Sequence, residues 1–575
     1  MKARRLDAAA TQGATPNTAR ESDGINTLSP RRKEHHAWLP ALVPLLLLAC
    51  LTELLYLAII ALAPLPGLHL YSTPLVTAWP WTLALSQFFF PAAKAPNNGS
   101  ITSTAWFHQA LLTLVLLALI ASYALVIWNT YRRRNTLNLA PRPWLLLLFA
   151  CTALFCLTLL FQPTLFSDDV FTYIFSGRLL TIYHADPLNN VPVQFPFDPY
   201  LQWVVSGKFT YNFYGPLWLY ISSGLVSIGA GPVATLFLFK GLAILAHLVN
   251  CILVWAILAK LAPARRLVGT LIYAWNPLVI IELAGSGHSE GLLLCILFLA
   301  VLLYVYRRGL WQEVAVMILL GLAISINLVV LLIAPLFAWF LVRDRRNTFR
   351  AFWGFCWRML IGPGLAIPLF LPLWRGPSTF FAITSAIDLT HFSHSLVGLF
   401  EGPVEWFFEL VAQSSHFPPV MQPVTAADAT LRASTIFIFA LIYFRLFGKV
   451  RRALTLDAAM RNSPVADHEM LLPGFDVLLD CWATAVFCYL VLILGWFWPW
   501  YALWVTWIVA LRRLDGRTIA LLLFSATALL LYPLQIVTGP ETAIYWPVLV
   551  FGIPLVYMFL SRIRTSRKAS LKHVG

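Results

Sequence analysis

Charged side chains are scarce in this sequence: Asp, Glu, Lys and Arg make up 11% of 575 residues, and apolar residues make up 59%. So low a charged fraction excludes the several water-soluble domains that the length alone would suggest. The apolar residues form repeated runs of about 17 or more, which is the length of a bilayer span. We therefore expect an all-α polytopic membrane protein.

Cysteine is also rare, and its positions are unsuited to cross-linking. All eight cysteines lie inside apolar runs, and no two have CxxC spacing. These positions argue against a disulfide framework and against a zinc site.

Two further patterns are missing. No short apolar region with a small-residue cleavage site occurs near the start, so we expect an uncleaved first helix rather than a signal peptide. No internal repeat of matching length is evident, which counts against a secondary transporter.

The net charge of +15 would suit a nucleic-acid partner if the basic residues shared one soluble module. They form short clusters between apolar runs instead, such as Arg132-Arg133-Arg134 and Arg265-Arg266. This alternation is the positive-inside pattern of membrane proteins. We expect no nucleic-acid partner, and we expect both termini to be cytoplasmic.

Placing the basic clusters inside predicts about 14 transmembrane helices. Two further helices, Val170–Tyr183 and Pro216–Ile228, have only roughly 13 to 14 residues where a crossing needs about 20, so we expect them along the outer interface. The predicted segments are a cytoplasmic tail (1–37), three transmembrane helices (38–162), an outer loop with the interfacial helices (163–232), a transmembrane core (233–373), a second outer loop (374–431), C-terminal transmembrane helices (432–561) and a basic cytoplasmic tail (562–575).

Two adjacent carboxylates, Asp168 and Asp169, follow the third apolar run. On a helix that begins here, Asp169, Tyr173 and Ser176 share one face. Adjacent residues point about 100° apart, so only one of the aspartates can enter a given cleft. The alternative role is capping, because Asp suits a helix start. We expect one aspartate to cap the helix and the other to be functional.

Several motifs resemble those of bacterial polyprenol-phosphate-mannose-dependent mannosyltransferases, which are polytopic members of the GT-C-type glycosyltransferase superfamily. The resemblance implies a GT-C-type bundle of about 14 transmembrane helices with two interfacial helices in an outer loop. The segments that carry it are SDDVFTYIFSGRLL from Ser167, HADPL from His184, YGPLWLY from Tyr214, Gly287-His288-Ser289-Glu290 and Pro499-Trp500-Tyr501.

The same resemblance implies an activity. A hexose, mannose first of all, would pass from a polyprenyl-phosphate-sugar donor to a glycan or glycolipid acceptor on the extracytoplasmic side of the plasma membrane. Asp169 would be the general base, with Asp168 as the second candidate. One carboxylate and one in-line displacement would invert the sugar carbon. No cofactor is implied, although a divalent cation is compatible with the chemistry.

The departing phosphate requires cations. Lys240 is a candidate because a lysine inside a predicted span suggests function, and its alternative is snorkelling to the rim. Arg178 and Arg375 are the other candidates, with interfacial anchoring as their alternative. The expected substrate-binding residues are Tyr173, Tyr214, Gly215, Pro216, His288, Glu290, Trp500 and Tyr501.

The chain departs from the family pattern at Asn327, where the family commonly has lysine. If that lysine contacts the donor phosphate, another cation must replace it here.

There are two rival functions: a transporter or flippase of a lipid-linked sugar, and an inactive scaffold of the same fold. A separate group, Asp388, His391 and His394, has spacing that a metal could use.

Overall fold

The computed structural model describes residues 39–63, 65, 81, 84–89, 103–137, 141–205, 207–211, 214–306, 309–342, 347–379, 392, 395–414, 421–460, 472–537 and 546–574. Within these ranges every regular element is a helix, which confirms the all-α class. Asp388, His391 and His394 lie outside the described residues.

The first 228 residues supply seven of these helices. They are α1 (Leu39–Leu62), α2 (Ala84–Phe89), α3 (Ser103–Arg132), α4 (Arg134–Leu137), α5 (Pro141–Leu160), α6 (Asp169–Thr181) and α7 (Pro216–Ile228).

The remaining helices follow from residue 232 onward. They are α8 (Pro232–Leu261), α9 (Arg266–Ala274), α10 (Pro277–Ile280), α11 (Glu290–Tyr306), α12 (Leu310–Ile324), α13 (Ala334–Leu341), α14 (Thr348–Phe370), α15 (Glu401–Ser414), α16 (Pro423–Met460), α17 (Pro473–Leu492), α18 (Leu503–Leu511), α19 (Gly516–Leu529), α20 (Leu531–Val537) and α21 (Ile553–Val574).

Among the described residues, eight helices are long and apolar enough to cross a membrane, or nine if the bent pair Pro263–Ala274 and Pro277–Gly285 forms one span. Other apolar helices, including α11, α12 and α18, are shorter. A polytopic membrane protein is therefore confirmed, while the total of about 14 spans stays a prediction.

Both short helices predicted in the first outer loop are present. The first, α6, begins at Asp169, one residue before the predicted start, and α7 has the predicted bounds. They pack closely, since a Cβ at Gly177 would lie 2.5 Å from the Ser222 carbonyl oxygen. Pro216 occupies the first turn of α7, where a missing N–H costs nothing.

A second close approach holds the start of α7 against the turn after α12. The Gly215 N–H donates to the Ile326 carbonyl (3.0 Å), and the Leu217 N–H donates to the Ser325 carbonyl (2.9 Å). A Cβ at Gly215 would overlap the Ser325 carbonyl oxygen. Only glycine therefore allows this contact, which fixes the preceding Tyr214 in position.

The helical segment from Pro263 to Gly285, which includes α9 and α10, is broken. Its two halves, Pro263–Ala274 and Pro277–Gly285, are bent by 49°. The bend follows Asn276, whose side chain accepts from the Leu278 N–H (3.0 Å), and Pro277, which cannot continue a helix. A π-turn, Ile281–Gly285, then leads to Gly287 with φ +76°. The chain thus turns sharply just before α11.

Candidate active site

The start of α6 sends its two aspartates in different directions. The Ser167 hydroxyl accepts from the Asp169 N–H at 3.2 Å. Asp168 occupies the N-cap position but makes no side-chain cap bond, and its Oδ2 accepts from the Val205 N–H at 2.9 Å. Asp168 therefore ties the helix start to the following loop, whereas Asp169 is turned toward α7 and α11.

Asp169 lies beside a tyrosine and a histidine. The Tyr214 hydroxyl donates to its Oδ2 at 3.3 Å, and His288 Nδ1 lies 3.9 Å from the same oxygen. Its side chain keeps 16% of its surface exposed. Burial raises the pKa of Asp169 to about 7, and the charges of Asp168 and Glu290 add to this rise, while His288 opposes it. A carboxylate with such a pKa is suited to accept a proton near neutral pH.

His288 is presented by the broken helix described above. Its imidazole is fully buried and stacks on Trp500, with ring centroids 4.6 Å apart and planes 25° apart. Nδ1 lies 3.2 Å from the Tyr173 hydroxyl. Three carboxylates surround this one ring, since Glu290 also lies 3.9 Å from Nδ1 and Glu282 lies 3.2 Å from Nε2. The arrangement can hold a positive charge beside Asp169.

Glu282 is the main residue that sequence reasoning missed. It lies in the π-turn, is fully buried, and accepts from the Tyr532 hydroxyl at 2.6 Å. The available signal was a single carboxylate within an otherwise apolar predicted span, which by itself suggests function. Tyr532 had no comparable signal, because an aromatic residue in an apolar run is usually part of the core.

Aromatic side chains pack around the carboxylate. Tyr173 is buried and meets Tyr214 and Trp218 edge-on, at centroid distances of 4.7 and 5.2 Å. Trp500 covers His288, and Tyr501 stacks on Trp504 at 4.6 Å. The rings thus pack against one another and against His288.

The predicted substrate-binding residues are therefore drawn from several parts of the chain. Tyr173 comes from α6, Tyr214 from the segment before α7, His288 and Glu290 from the start of α11, and Trp500 from the turn before α18. Gly215 and Pro216 act through the backbone, by the close approach that fixes Tyr214.

Lys240 lies in α8 and is fully buried. Its ammonium donates to the Leu159 carbonyl at 2.9 Å and also to the Gln162 carbonyl. Its stem passes Gly287, where a Cβ would lie 3.2 Å from Lys240 Cγ. The ammonium thus binds the last carbonyls of α5 and the turn after it, a contact that stabilises a helix C-terminus.

Arg178 contacts residues of the segment between α6 and α7. Its Nε and Nη2 donate to Asp198 Oδ2 at 2.9 and 2.7 Å, and its guanidinium lies 4.0 Å over the Tyr200 ring. Asp198 also accepts from the Tyr183 hydroxyl at 2.9 Å. These contacts give Arg178 a structural role in ordering the loop.

Arg375 is exposed in the segment that follows α14. Its backbone N–H donates to the Thr379 hydroxyl at 2.9 Å, and Asn189 donates to the same hydroxyl at 3.2 Å. The charge of Arg375 acts on Asp186 of the first loop. Of the three predicted cations, Arg375 is the one whose side chain is exposed.

Asn327 occupies the position at which the family that the sequence resembles commonly has lysine, and it lies near this site. Asn327 follows directly after Ser325 and Ile326, the residues that contact Gly215 and Leu217. Its side-chain oxygen accepts from the Val329 N–H at 3.0 Å and caps the short helix Leu328–Leu332. This polar but uncharged residue therefore lies within a few residues of the contact that positions Tyr214.

No group of three or more metal-ligating side chains with suitable geometry occurs in the part of the chain that the structure describes.

The chain has matches among solved structures and among family models. No curated protein matches the chain. Among solved structures, the oligosaccharyltransferase of Archaeoglobus fulgidus, tethered by a disulfide bond to an acceptor peptide containing the NVT sequon, is 14% identical, with a TM-score of 0.33. The match covers 72% of this chain and only 55% of that one.

The sequence match to a family is more informative. Residues 81–343, somewhat less than half of the chain, match the model described as alpha-(1->6)-mannopyranosyltransferase, N-terminal domain. The stretch contains Asp169, Tyr214, Glu282 and His288. Over residues 81–343 this chain is therefore similar to the alpha-(1->6)-mannopyranosyltransferase family.

Proposed function

We propose that the protein is an integral membrane hexosyltransferase that moves mannose from a polyprenyl-phosphate-mannose donor to a glycan or glycolipid acceptor. The family match supports glycosyl transfer, and the apolar helices support a bilayer location. The reaction takes place on the extracytoplasmic side of the plasma membrane, where the positive-inside pattern puts the loop that carries Asp169.

The observation that carries the mechanism is the surroundings of Asp169. Asp169 is half-buried, accepts a hydrogen bond from the Tyr214 hydroxyl and lies next to His288. Its carboxylate retains an exposed surface through which an acceptor hydroxyl can approach. Asp169 accepts the hydroxyl proton as the acceptor oxygen attacks the anomeric carbon. The bond from that carbon to the phosphate oxygen breaks, and the phosphate leaves with the bonding electrons. A single displacement inverts the anomeric carbon, so a β-linked donor gives an α-linked product.

The leaving phosphate requires positive charge. Arg375 is the first candidate, because its side chain is exposed near the contact between the two outer loops. Lys240 and Arg178 remain candidates only if the donor displaces their present partners. Tyr173, Tyr214, Trp500 and Tyr501 would form the sugar-contacting surface, and Glu290 would support His288.

The test is turnover of radiolabelled polyprenyl-phosphate-mannose by purified protein with a panel of acceptors. Asp169→Asn should lower kcat by about 10²- to 10⁴-fold, the usual contribution of a general base. Asp168→Asn is the matched comparison, because an asparagine oxygen can still accept from the Val205 N–H, and it should lose less than about tenfold. If Asp168→Asn is the inactive variant and Asp169→Asn is active, the base is Asp168.

The rival functions give different results in the same preparation. A flippase would move the lipid-linked sugar across sealed vesicles without forming product, and Asp169→Asn would not stop the flux. An inactive scaffold would show neither turnover nor flux, as the substitution at Asn327 would permit.

A further inference from the structure

The buried carboxylate of Glu282 has a defined place in the fold. It lies in the π-turn Ile281–Gly285, an element that often marks a functional site in an otherwise regular helix. One of its oxygens accepts from the Tyr532 hydroxyl at 2.6 Å. Because an isolated charge is costly in a low-dielectric interior, the second oxygen also requires a partner.

That oxygen is paired by distance with His288, as an ion pair. The second oxygen of Glu282 lies 3.2 Å from His288 Nε2, and both side chains are fully buried. The other ring nitrogen of His288 faces the Tyr173 hydroxyl at 3.2 Å and the Asp169 carboxylate at 3.9 Å. The imidazole therefore connects a carboxylate that solvent does not reach with one that remains partly exposed.

The surroundings of the ring favour its charged form. The face of Trp500 lies against it, which stabilises a cation. Lys240 passes near Gly287, but its ammonium is bonded to carbonyls of α5 and the turn after it. The titratable groups that face His288 are Asp169 and Tyr173 on α6, Glu282 in the π-turn and Glu290 on α11. Three tyrosines interact with these carboxylates rather than with the ring: Tyr214 before α7, Tyr501 before α18 and Tyr532 on α20.

We propose that Glu282 is a positioning residue that holds His288 as a cation beside Asp169 and so keeps Asp169 ionised for proton transfer. This inference rests on the proposed function. Two charges act on Asp169 in opposite directions: His288 attracts it from 3.9 Å, and Glu282 repels it from the far side of the imidazole ring. The attraction is the stronger effect, so losing the histidine charge outweighs losing the repulsion.

The test is the pH dependence of kcat/KM in Glu282→Gln. In the wild type, activity should rise with pH through the pKa of Asp169, about 7, because the base works only when ionised. In Glu282→Gln, His288 loses its nearest counter-charge. The acidic limb of the kcat/KM profile, over which activity rises with pH, should therefore shift to higher pH by at least about one unit. Activity at pH 6 should fall about tenfold and recover at high pH.

A purely structural defect would behave differently. It would lower kcat at every pH and leave the limb in place, and that result would overturn the proposal. Tyr532→Phe removes only the donor to Glu282, so it should shift the limb in the same direction by a smaller amount.

Glu313→Gln is the matched control. Glu313 is also a buried carboxylate with a cationic partner, Arg358. It lies near the start of α12, about 16 Å along the helix from the end that contacts Gly215. The same chemical change at this position should leave the acidic limb unshifted.

A second readout does not require turnover. Infrared difference spectra between pH 5 and pH 9, with the Asp169→Asn spectrum subtracted, report the protonation of the Asp169 carboxyl directly. A shifted titration in Glu282→Gln without turnover of any donor would support the positioning role while refuting the proposed function. Turnover that requires Asp169, with an unshifted titration in Glu282→Gln, would do the reverse.

Discussion

Two clusters of buried charge in this molecule differ in how their carboxylates are neutralised. Three cations converge around Asp480 on α17. Lys449 pairs with its carboxylate, and the two arginines, Arg512 and Arg517, each lie 2.7 Å from one of its oxygens. Around His288 the ratio is reversed, because three carboxylates share one imidazole.

The difference separates a structural cluster from a reactive one. A carboxylate surrounded by several cations is firmly ionised and has its lone pairs occupied, so it holds helices together and does little chemistry. A carboxylate with an excess of like charge nearby and little solvent holds its proton more readily. Asp169, with its pKa raised to about 7 mainly by burial, is of the second kind, and such groups are frequent in active sites.

The largest expected effect on stability is in the first cluster. Asp480→Asn leaves three cations without their shared carboxylate, so the free energy of unfolding should fall by about 3 kcal/mol. The measurement is thermal or denaturant unfolding in detergent, with Glu409→Gln on the exposed face of α15 as the control. The comparison between the clusters fails if Asp480→Asn is as stable as wild type but shifts the pH profile of the enzyme.

The next effect concerns the geometry of the second cluster. Gly215→Ala pushes a methyl group into the Ser325 carbonyl oxygen, which displaces Tyr214 from Asp169. Because small displacements of catalytic groups are costly, kcat should fall by about 10- to 100-fold. Gly224→Ala, in the same helix and with open space around it, should leave kcat unchanged. Equal kcat in both variants would show that the close approach at Gly215 does not control the site.

The smallest expected effect is at Lys240. It tests whether this lysine has a structural role or binds the donor phosphate. Lys240→Met removes two hydrogen bonds, which is destabilising, and removes a buried charge, which is stabilising. Because the two effects oppose each other, the free energy of unfolding should change by about 1 kcal/mol or less. KM for the lipid donor should stay the same. A rise of tenfold or more in KM, with kcat unchanged, would instead assign Lys240 to the donor phosphate. Arg375→Gln, which removes the exposed cation, is the positive control in that assay.

Much of the local structure could be predicted because its cause lies in neighbouring residues. The Pro at the start of α7 and the short apolar patterns were sufficient to predict both loop helices. The angle between adjacent residues was sufficient to predict that Asp168 and Asp169 would diverge. Motif resemblance identified His288 and Tyr214. The Tyr214 hydroxyl donates to Asp169 at 3.3 Å, and His288 Nδ1 lies 3.9 Å from the same carboxylate.

The partners of individual charges could not be predicted in the same way. Lys240 donates to carbonyls about 80 residues earlier, at separations of 81 and 78 positions, and Glu282 accepts from Tyr532 at a separation of 250. Arg178 donates to Asp198, twenty residues later in the sequence, while its predicted contact with a phosphate stays a prediction. Nothing in local periodicity encodes these pairings.

The sequence by itself determined that this chain is a helical membrane protein, because low charge and long apolar runs leave no other stable arrangement of the backbone in a bilayer. It also determined where helices begin, since caps and prolines act within a few residues. Only the tertiary structure decided which carboxylates would share His288 and which cations would be neutralised elsewhere. Those outcomes depend on desolvation and on distances between helices far apart in the sequence, and both arise only when the helices pack.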